Sequence, residues 1–455
     1  MNLVEKLVAQ PPEQTAIIDY RRSVSFSELT KRVQGGAAFL KKENFESGDH
    51  ILVLHPITIE LYEILLSCFY AGIVVILVDP AKGPDFMKQC LKWLPPKAYI
   101  GSPKAQLLRF RYPQLRQAIS TGPKLPFTTK WNSRIPPCDI TNVKPDHPAL
   151  ITFTSGSTGM PKAIVRSHSF LISQDTTLAR NINLQAKDID LVTLPVFLLS
   201  NLSHGVTSVI ADTDLTKPGF PEVPKILKQV RNHGINRCTA SPAFFEKMPD
   251  EFFAPLSKIY TGGAPVFPEL LKRFPPKFHS VYGSSEVEPI AHFAGTDLTP
   301  AIEKRIASGE GLPAGKPVDE IALRIVEDEI WVSGDHVLKG YYQGRGDEET
   351  KVNVDGIMWH RTGDAGRLDL DDNLWLLGRH SKKWQDFFPL QIEAAIHTLH
   401  PGARCAFLDG ILYLERDLKI SLPWISFDGI KVVGKIPMDS RHNAKVDYAA
   451  LTKIR

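Results

Sequence analysis

Residues 152–168, TFTSGSTGMPKAIVRSH, bring hydroxyl groups, glycines and one lysine together behind a short apolar run. A glycine-rich turn lets a ligand approach the backbone closely, and its N–H groups can converge on one anion. Serine and threonine hydroxyls add hydrogen-bond donors, and Lys162 adds a positive charge. The order of residues is not that of a Walker A loop. Residue types alone leave two interpretations open, a phosphate-binding loop and an ordinary surface loop rich in turn-forming residues.

Five further motifs follow this loop along the chain, and each contains residues able to bind or activate a substrate. They are TGGAP (261–265), VYGSSEVEP (281–289), WHRTGD (359–364), LGRHSKK (377–383) and DSRHNAKVDYAAL (439–451). Taken singly, each has a structural explanation. Tyr282 is then a strand-end aromatic residue in the core, and Glu286 is a carboxylate in the first turn of a helix, where the helix dipole favours it. Asp364 is then part of a turn, and Lys445 is a solvated surface lysine.

Taken together, the motifs resemble those of the adenylate-forming superfamily, which comprises acyl-CoA synthetases, adenylation domains of peptide synthetases and luciferases. The resemblance extends over nearly the whole chain, from FSELTKRV (26–33) to the lysine motif near the C-terminus. It implies an enzyme in which a carboxylate attacks the α-phosphate of ATP, giving an acyl-adenylate and pyrophosphate. It also implies ATP and Mg²⁺ as cofactors and a small-molecule carboxylic acid, a fatty or β-hydroxy fatty acid, as the substrate.

The resemblance assigns nucleotide-binding roles to two sets of residues. Those implied around the β- and γ-phosphates of ATP are Thr154, Ser155, Gly156, Ser157, Thr158, Gly159 and Lys162. Those implied around the rest of the nucleotide are Gly262, Gly263, Ala264, Tyr282, Gly283, Ser285, Asp364 and Arg379. Tyr282 offers a flat face for stacking adenine, and an ionised Asp364 accepts hydrogen bonds from both ribose hydroxyls. Arg379 adds a contact to the ribose or to a phosphate.

Two residues are implied in the reaction itself. Glu286 would hold Mg²⁺, because this ion suits one carboxylate combined with substrate phosphates. Lys445 would lie where the carboxylate meets the α-phosphate, so that its positive charge stabilises the transition state. The resemblance therefore implies that both residues are catalytic and that Glu286 is also the metal ligand.

The sequence departs from the superfamily pattern in its C-terminal part and at one earlier position. Only 77 residues follow Gly378 in the chain of 455. Ser381 stands where the hinge usually has aspartate or lysine, and the usual hinge glycine has no clear counterpart in HSKKWQDFF (380–388). Leu198 occupies a position that usually holds histidine, and His204, six residues on, does not restore the pattern.

Five stretches of the sequence look like those of the β-lactone synthetases of bacterial long-chain olefin biosynthesis, and the departures are consistent with that branch. They are VDPAKG (78–83), AYIGSPKAQLLR (98–109), YGSSEVEPIA (282–291), WHRTGD (359–364) and DSRHNAKVDY (439–448). In those enzymes the substrate's own hydroxyl displaces AMP and closes a four-membered ring, so no channel for a thiol is needed. A ligase that forms a thioester with coenzyme A or a carrier protein is the alternative, and a non-catalytic nucleotide or acyl binder is a second one. A phosphotransferase is disfavoured because kinase and Walker A motifs are absent from the sequence.

Composition limits the remaining classes. Lys and Arg exceed Asp and Glu by four and form no dense block, so nucleic acid is not expected as a partner. Five scattered cysteines without metal-binding spacing predict reduced thiols and a cytoplasmic location. Residues 61–78 change from helical spacing to a β-branched run, which favours a buried helix followed by a buried strand over a transmembrane segment.

The elements that must position the motifs follow from the hydrophobic pattern. Apolar runs alternate with helical segments, which predicts an α/β fold with mainly parallel sheets, and short strands after residue 320 predict a β-rich subdomain. Ser25 and Glu28 form a capping-box pattern before an amphipathic helix. We expect a large N-terminal multi-layer α/β domain over residues 1–378 and a small, shortened α+β C-terminal lid domain over residues 379–455.

The acyl pocket is the least defined part. Residues 195–210 and 240–248 are expected to line it, and Phe244 and Phe245 either shorten the pocket or belong to the core. The proline-rich segment 120–139 predicts a surface loop.

Overall fold

The computed structural model describes residues 2–123, 125–155, 160–439 and 443–454. The chain forms two compact units. Unit 1 comprises Met1–Asp212 and Leu338–Glu348, and unit 2 comprises Thr213–Val337 and Glu349–Arg455. The predicted separate C-terminal domain over residues 379–455 is a different division of the chain and stays a prediction.

Strands and helices alternate along unit 1. Its strands are β1 (Thr15–Ile18), β2 (Ser23–Ser25), β3 (His50–Leu54), β4 (Val74–Leu77), β5 (Ala98–Gly101), β6 (Gln117–Ser120), β7 (Thr129–Lys130), β8 (Pro148–Ser155), β9 (Pro161–Ser167), β10 (Ile189–Val192) and β11 (Thr207–Ile210). Its α-helices are α1 (Glu5–Val8), α2 (Phe26–Lys42), α3 (Ile59–Tyr70), α4 (Pro84–Trp93), α5 (His168–Asn181) and α6 (Pro195–Ser203). Short 3₁₀ helices lie at Pro80–Lys82, Ala105–Phe110 and Tyr342–Gly344.

Two groups of strands organise unit 1. The first has the order β7-β6-β5-β3-β4-β8-β9 and is parallel except for the pair β8 and β9. The second has the order β10-β11-β1-β2 and is parallel except for the pair β1 and β2. Met87 and Leu91 of α4 share a buried apolar cluster with Ile76 and Tyr99 of the first sheet. The predicted α/β fold with mainly parallel sheets is confirmed.

Unit 2 begins with alternating strands and helices and continues with short strands. Its strands are β12 (Arg237–Ala240), β13 (Lys258–Gly262), β14 (Phe278–Ser284), β15 (Val287–Ala294), β16 (Leu312–Pro317), β17 (Ala322–Val326), β18 (Glu329–Ser333), β19 (Lys351–Val354), β20 (Ile357–Leu368), β21 (Leu374–Arg379), β22 (Cys405–Leu408), β23 (Ile411–Leu414) and β24 (Gly429–Val432). Its α-helices are α7 (Val223–His233), α8 (Pro242–Glu246), α9 (Asp250–Phe253), α10 (Pro268–Lys272), α11 (Pro300–Ala307), α13 (Pro389–Leu399) and α14 (Tyr448–Leu451), and α12 (Asp347–Thr350) spans the unit boundary in the chain. Short 3₁₀ helices lie at Gly295–Asp297 and His380–Lys382.

The strands of unit 2 change from parallel to antiparallel pairing at β14. The strands β12, β13 and β14 are parallel, and the antiparallel series β14-β15-β16-β21-β20-β18-β17 follows, with β19 also paired to β20. A separate three-stranded sheet has the order β22-β23-β24. The short strands predicted after residue 320 are therefore present, among them β17, β18 and β21.

Local sequence signals account for individual elements of unit 1. Ser25 Oγ accepts the backbone N–H of Glu28 at 3.2 Å at the start of α2, as the capping pattern predicts. The helix α3 ends at Tyr70 and β4 begins at Val74, which confirms a helix followed by a strand in this region. None of the described helices has the length and apolar character required to span a membrane.

Candidate active site

The described part of the loop motif lies at the ends of an antiparallel strand pair in unit 1. The strand β8 ends at Ser155 and β9 begins at Pro161, and Thr154 is paired with Lys162. This register holds Thr154 and Lys162 opposite each other at the two ends of the loop. The predicted loop residues that lie outside the described part are Gly156, Ser157, Thr158 and Gly159.

Lys162 is packed against the segment of unit 1 that contains Tyr341 and Gly346. Only 8% of Lys162 is exposed, and its Nζ lies 5.5 Å from the centre of the Tyr341 ring. A Cβ atom on Gly346 would lie 2.8 Å from both Cδ and Cε of Lys162, so only glycine leaves room for this side chain. Because a cation is attracted to the face of an aromatic ring, Tyr341 and Gly346 together fix the direction of Lys162.

Tyr282, Asp364 and Arg379 form one hydrogen-bonded group in unit 2. Asp364 of β20 and Arg379 of β21 are register partners, and Arg379 Nη1 lies 3.0 Å from Asp364 Oδ1. Tyr282 Oη, from β14, donates to Asp364 Oδ2 at 2.9 Å. The Arg379 side chain is 54% exposed, so this ion pair adds little to stability and leaves the guanidinium accessible to a ligand.

The Tyr282 hydroxyl is held in its protonated form. Burial raises its pKa well above the ordinary value for tyrosine, and the neighbouring Asp364 carboxylate raises the pKa further. A carboxylate is an acceptor only, so the phenol must be the donor in this pair. Tyr282 therefore orients the Asp364 side chain, and its ring packs against a buried apolar cluster that includes Ile290 and Ala291.

Two glycines at the end of β13 differ in their surroundings, because Gly262 lies tightly against β14 and Gly263 faces open space. Gly262 pairs with Val281 so closely that a Cβ atom would collide with the Val281 carbonyl oxygen. Gly263 has a φ of +79°, which favours glycine, and no heavy atom lies within 4 Å of the position that a Cβ atom would take. Ala264, with a small side chain, follows at intermediate burial. A planar base is the kind of group that fits between this open backbone and an aromatic face.

Glu286 lies with Ser285 in the tight turn between the antiparallel strands β14 and β15. Its backbone N–H donates to Ser284 Oγ at 3.3 Å. Gly283 permits the close approach of the two strands, since a Cβ atom there would lie 2.9 Å from the Val287 carbonyl oxygen. The interpretation that places Glu286 in the first turn of a helix is wrong, because the small polar residues after Tyr282 reverse the chain into a hairpin instead.

Lys445 lies in a turn that is closed by Asp439. Asp439 Oδ1 accepts the backbone N–H of Ala444 at 2.9 Å and that of Lys445 at 2.8 Å. The Asp439 N–H donates to the Lys445 carbonyl oxygen at 2.8 Å, and Met438 and Val446 form an antiparallel bridge across the turn. The carboxylate of Asp439 thus fixes the backbone that carries Lys445.

The ammonium group of Lys445 interacts electrostatically with the other predicted residues of unit 2. Although the residue is exposed, protein atoms crowd its charged end, and this desolvation lowers the pKa of Lys445. The positive charge of Arg379 lowers the pKa further. The carboxylates that oppose this shift are those of Asp364, Asp439 and Glu286. The structure therefore brings the predicted catalytic lysine, metal ligand and ribose-binding residues into one neighbourhood.

Glu329 supports the segment that ends at Asp364. Its Oε1 accepts the backbone N–H of Gly363 at 3.1 Å, and its Oε2 accepts Arg361 Nε at 2.8 Å and Trp331 Nε1 at 3.1 Å. Glu329 is only 4% exposed. These three hydrogen bonds satisfy a buried carboxylate and determine the path of the chain immediately before Asp364.

Glu393 of α13 connects the three-stranded sheet to the chain just after Lys445. Its Oε1 accepts Tyr448 Oη at 2.9 Å and the backbone N–H of Phe407 at 3.0 Å. Burial raises the pKa of Glu393 to about 7, and the two hydrogen bonds partly oppose this rise. Tyr448 follows Lys445 by three residues. Glu393 therefore links the segment that carries Lys445 to α13 and to β22, which contains Phe407.

Sequence reasoning did not identify Glu329, Asp439 or Glu393. Asp439 carries a readable signal, because an aspartate before a short polar run often accepts backbone N–H groups in a turn. Glu329 and Glu393 carry no such signal, since Gly363 and Tyr448 lie 34 and 55 residues away from them along the chain. Only the folded structure brings these partners together.

Several residues considered for the acyl pocket have other packing roles. Phe244 and Phe245 are fully buried and pack against other phenylalanine rings, so the core interpretation is confirmed for both. Leu198 is fully buried in unit 1. His204 Nδ1 lies 3.4 Å from the Asp175 carboxylate, which raises the pKa of His204 and engages it in a network within unit 1.

The fold of the chain matches that of solved structures with low sequence identity. It aligns with the amide bond synthetase McbA from Marinactinospora thermotolerans at a TM-score of 0.82 and 18% identity, covering 99% of this chain and 98% of that one. The ATP-bound MatB from Rhodopseudomonas palustris gives a TM-score of 0.80 at 18% identity, with the same coverage of 99% and 98%. Because the identity is only 18% in both cases, these structural similarities establish the fold and nothing about the activity.

The sequence identifies the family. The profile of the AMP-binding enzyme family matches residues 4–342, and the chain belongs to this family. It is 28% identical to the olefin beta-lactone synthetase of Xanthomonas campestris over 89% of this chain and 83% of that protein. It is 24% identical to the 2-succinylbenzoate–CoA ligase of Bacillus licheniformis, over 90% and 86%. The protein is therefore an adenylate-forming acid ligase that uses ATP to activate a small carboxylic acid.

Proposed function

We propose that the protein converts a β-hydroxy fatty acid into its acyl-adenylate and then into a β-lactone, with Mg²⁺ bound at Glu286. The observation that carries the assignment of the site is the grouping of Tyr282, Asp364, Arg379 and Lys445 by hydrogen bonds and electrostatic interactions. The lactone step is supported by similarity to olefin beta-lactone synthetases from two bacteria, at 28% and 25% identity.

In the activation step, a carboxylate oxygen of the acid bonds to the α-phosphorus of ATP, and the bond from that phosphorus to pyrophosphate breaks. Lys445 would stabilise the negative charge that accumulates between the two anions. Asp364 and Arg379 would hold the ribose, with Tyr282 against adenine. The loop ending at Lys162 would hold the departing phosphates.

Mg²⁺ would enter the site together with the phosphates. No group of three or more His, Cys, Asp and Glu side chains suited to a metal ion occurs in the part of the chain that the structure describes. Mg²⁺ commonly binds through one or two carboxylates, substrate phosphates and water, so one protein ligand suffices. Glu286 fits this role because it lies in a short turn within the electrostatic neighbourhood of Lys445.

In the second step, the β-hydroxyl oxygen would attack the acyl carbon. The ring C–O bond forms, the bond from the acyl carbon to AMP breaks, AMP leaves with the bond's electron pair, and the hydroxyl proton is released. Both reacting groups belong to one molecule, which compensates for the weak nucleophilicity of an alcohol. The departures at Ser381 and in residues 380–388 favour this step, because they remove features that serve a thiol acceptor in the superfamily.

A thioester-forming ligase is the second candidate. Its support is the similarity to proteins named as CoA ligases, among them the 2-succinylbenzoate–CoA ligase of Bacillus licheniformis. The activation step and its residues would be the same in both cases. The two candidates differ only in the acceptor that displaces AMP.

Mass spectrometry of the products distinguishes the two candidates. Purified protein is incubated with MgATP and a long-chain β-hydroxy acid, first without and then with coenzyme A. We expect AMP and a product lighter than the acid by one water without coenzyme A. The matching acid without a hydroxyl should give no lighter product, and the Lys445→Ala variant should release no AMP. A thioester that forms only with coenzyme A would overturn the lactone step and leave activation in place.

A further inference from the structure

One edge of the first sheet of unit 1 is built from a segment without acidic residues. Residues 86–138 contain ten Lys or Arg and no Asp or Glu, whereas the whole chain has a net charge of only +4. The segment includes β5, β6 and β7, which occupy one end of the strand order of this sheet. Along the chain, seven of the ten basic residues fall from Lys97 to Lys130, the stretch that contains these three strands, whereas Lys88 and Lys92 belong to α4.

Three large apolar side chains are exposed on the same segment. Leu107 is 67% exposed, Phe110 is 77% exposed and Phe127 is 94% exposed. Leu107 and Phe110 are three residues apart in the 3₁₀ helix Ala105–Phe110, so their side chains align on one face. Single exposed apolar residues need no explanation, but a cluster of large ones marks an interaction surface. We call these three residues the apolar cluster.

The 3₁₀ helix that carries two members of the cluster is anchored from beneath. Gln106 is 2% exposed, and its side chain donates to the carbonyl oxygens of Gly101 at 3.1 Å and Ile119 at 2.9 Å. Its own carbonyl oxygen accepts Tyr99 Oη at 3.3 Å. The exposure of Leu107 and Phe110 is therefore a feature of an ordered helix rather than of a loosely packed loop.

Arg109 joins this helix to the turn that carries the third member of the cluster. Its Nη1 donates to the Phe127 carbonyl oxygen at 3.3 Å and its Nη2 to that of Pro126 at 3.0 Å, while its guanidinium lies 4.9 Å from the Phe110 ring centre. Phe127 has a φ of +57°, a conformation that is strained for a bulky residue. The turn therefore exposes the Phe127 ring to solvent although the backbone conformation of Phe127 is strained, and Arg109 is hydrogen-bonded to this turn.

Basic side chains close to the cluster in sequence are exposed and uncompensated. Lys104, Arg111 and Arg116 are exposed. Within the described chain, neither these three nor Arg109 forms an ion pair with an acidic side chain, in contrast to Lys97, whose Nζ lies 2.5 Å from Asp49 Oδ2. The surface thus combines apolar side chains with positive charge that attracts an anionic partner.

We propose that this edge is a membrane-contacting surface that binds anionic lipid bilayers. The apolar cluster would enter the interface between head groups and acyl chains, and the surrounding basic side chains would contact the lipid phosphates. An anionic nucleic acid would pair with the basic side chains but would leave the apolar cluster in water. An anionic lipid interface would pair with the basic side chains and also bury the apolar cluster. This proposal is independent of the proposed function, because binding to a bilayer requires no turnover.

Sedimentation with lipid vesicles tests the proposal on the full chain. We expect binding to vesicles of phosphatidylglycerol and phosphatidylcholine in equal parts and none to pure phosphatidylcholine. The variant Leu107→Ser/Phe110→Ser/Phe127→Ser should lower the partition coefficient about tenfold or more, because apolar burial in the interface is lost. The variant Lys104→Gln/Arg111→Gln/Arg116→Gln should weaken binding and reduce its dependence on salt.

Matched variants separate loss of contact from loss of fold. The variant Phe220→Ser/Ile357→Ser/Leu370→Ser changes residues that are 50%, 50% and 103% exposed outside the basic segment, and it should bind like wild type. Phe127→Gly should raise the thermal midpoint, because glycine accepts the positive φ, and still weaken binding. Equal binding to both vesicle types, unchanged binding of the cluster variant, or retention on duplex DNA without vesicle binding would each overturn the proposal.

Discussion

The charge of Lys445 has three carboxylates and one guanidinium as electrostatic neighbours. Replacing Lys445 with alanine removes the positive charge proposed to stabilise the transition state. We expect pyrophosphate release to fall about a hundred- to thousandfold, as for loss of other groups aimed at developing charge. The thermal midpoint should not change, because Lys445 is exposed. Lys453→Ala, an exposed lysine on the same tail, is the control and should keep full activity. Wild-type rates for Lys445→Ala would remove this residue from the reaction.

We expect Asp439 to act on the reaction through the backbone that it holds, besides the electrostatic effect of its carboxylate on Lys445. Asp439→Ala leaves the N–H groups of Ala444 and Lys445 without their acceptor. We expect kcat to fall about ten- to hundredfold, because the lysine is no longer held in place, while KM for ATP changes little. Asp439→Asn keeps an Oδ1 acceptor and should recover most of the rate. Steady-state kinetics of both variants distinguish the two explanations. An equal loss of kcat in Asp439→Ala and Asp439→Asn would show that the negative charge of Asp439, rather than its hydrogen bonds, supports the rate.

At the scale of single residues, the sequence reveals functional groups better than it reveals what fixes them. Tyr282, Asp364 and Arg379 stand in recognisable motifs, and the structure places them within hydrogen-bonding distance. The buried carboxylates Glu329 and Glu393 stand in no motif, because their roles depend on partners that only folding brings near. A sequence motif identifies the side chain that can react or bind, but it does not identify the residues distant in sequence that hold that side chain in place.

Among the elements, the segment Leu338–Glu348 supports Lys162 of β9 through Tyr341 and Gly346. Gly346→Ala would bring a methyl group within 2.8 Å of the lysine side chain, at a φ of +99°. Gly344→Ala, at a φ of +72°, meets no atom closer than 3.6 Å and is the matched control. Both variants should lose roughly 1–2 kcal/mol of stability from backbone strain. Only Gly346→Ala should also raise KM for ATP severalfold.

Chemical denaturation and the ATP dependence of pyrophosphate release, measured on both glycine variants, separate the two effects. A rise in KM for both variants would attribute the change to the backbone of the segment. An unchanged KM for both would mean that the packing of Gly346 on Lys162 does not matter for ATP binding. The Gly344→Ala variant measures how much backbone strain alone changes the stability and the KM for ATP.

The burial of Glu393 on α13 makes stability depend on pH. Glu393 has a pKa of about 7 in the folded protein, compared with 4.5 for an ordinary glutamate. Between these values the folded state keeps a proton that the unfolded state has lost, so stability falls as the pH rises. The difference amounts to about 3 kcal/mol over this window. Glu393→Gln keeps an Oε1 acceptor and should remove this part of the pH dependence in urea titrations. Parallel pH profiles for wild type and variant would contradict the assignment.

Element types are predicted from sequence more successfully than element ends and pairings. The strands β3, β4, β5 and β8 coincide with uninterrupted apolar runs, and α2 begins at its capping serine. The turn at Glu286 was open to a helical interpretation, because a short polar run after an aromatic residue fits a helix start as well as a hairpin. The hydrogen bonds between β14 and β15 decide between them, and local sequence does not encode that decision.

Across the whole molecule, burial distinguishes the five free cysteines. Cys68, Cys90, Cys238 and Cys405 are buried, whereas Cys138 is partly exposed. Burial raises the pKa of Cys90 to about 12 and raises those of Cys68 and Cys405 as well. Since the thiolate is the reactive form, a disulfide reagent at neutral pH should modify one thiol quickly in the native protein and all five after denaturation. Cys138→Ser should abolish the fast phase, and a persistent fast phase would place a reactive thiol elsewhere.

The parallel α/β fold and its antiparallel continuation follow from composition and periodicity, because these signals repeat along the chain. The division into two units does not, since Leu338–Glu348 belongs with residues more than a hundred positions earlier. Such a return of the chain depends on packing between distant segments. The sequence alone therefore specifies the class of the fold but not which segments share a unit.

Residues 86–138 hold ten basic groups and no acidic ones, so the remainder of the chain is net acidic. At the isoelectric point these charges cancel only in their sum, and the molecule keeps an electric dipole. A charged chromatography matrix binds the charges on the surface that contacts it, so its binding does not follow the net charge of the whole molecule. We therefore expect a cation exchanger to retain the protein through this basic segment even above the isoelectric point.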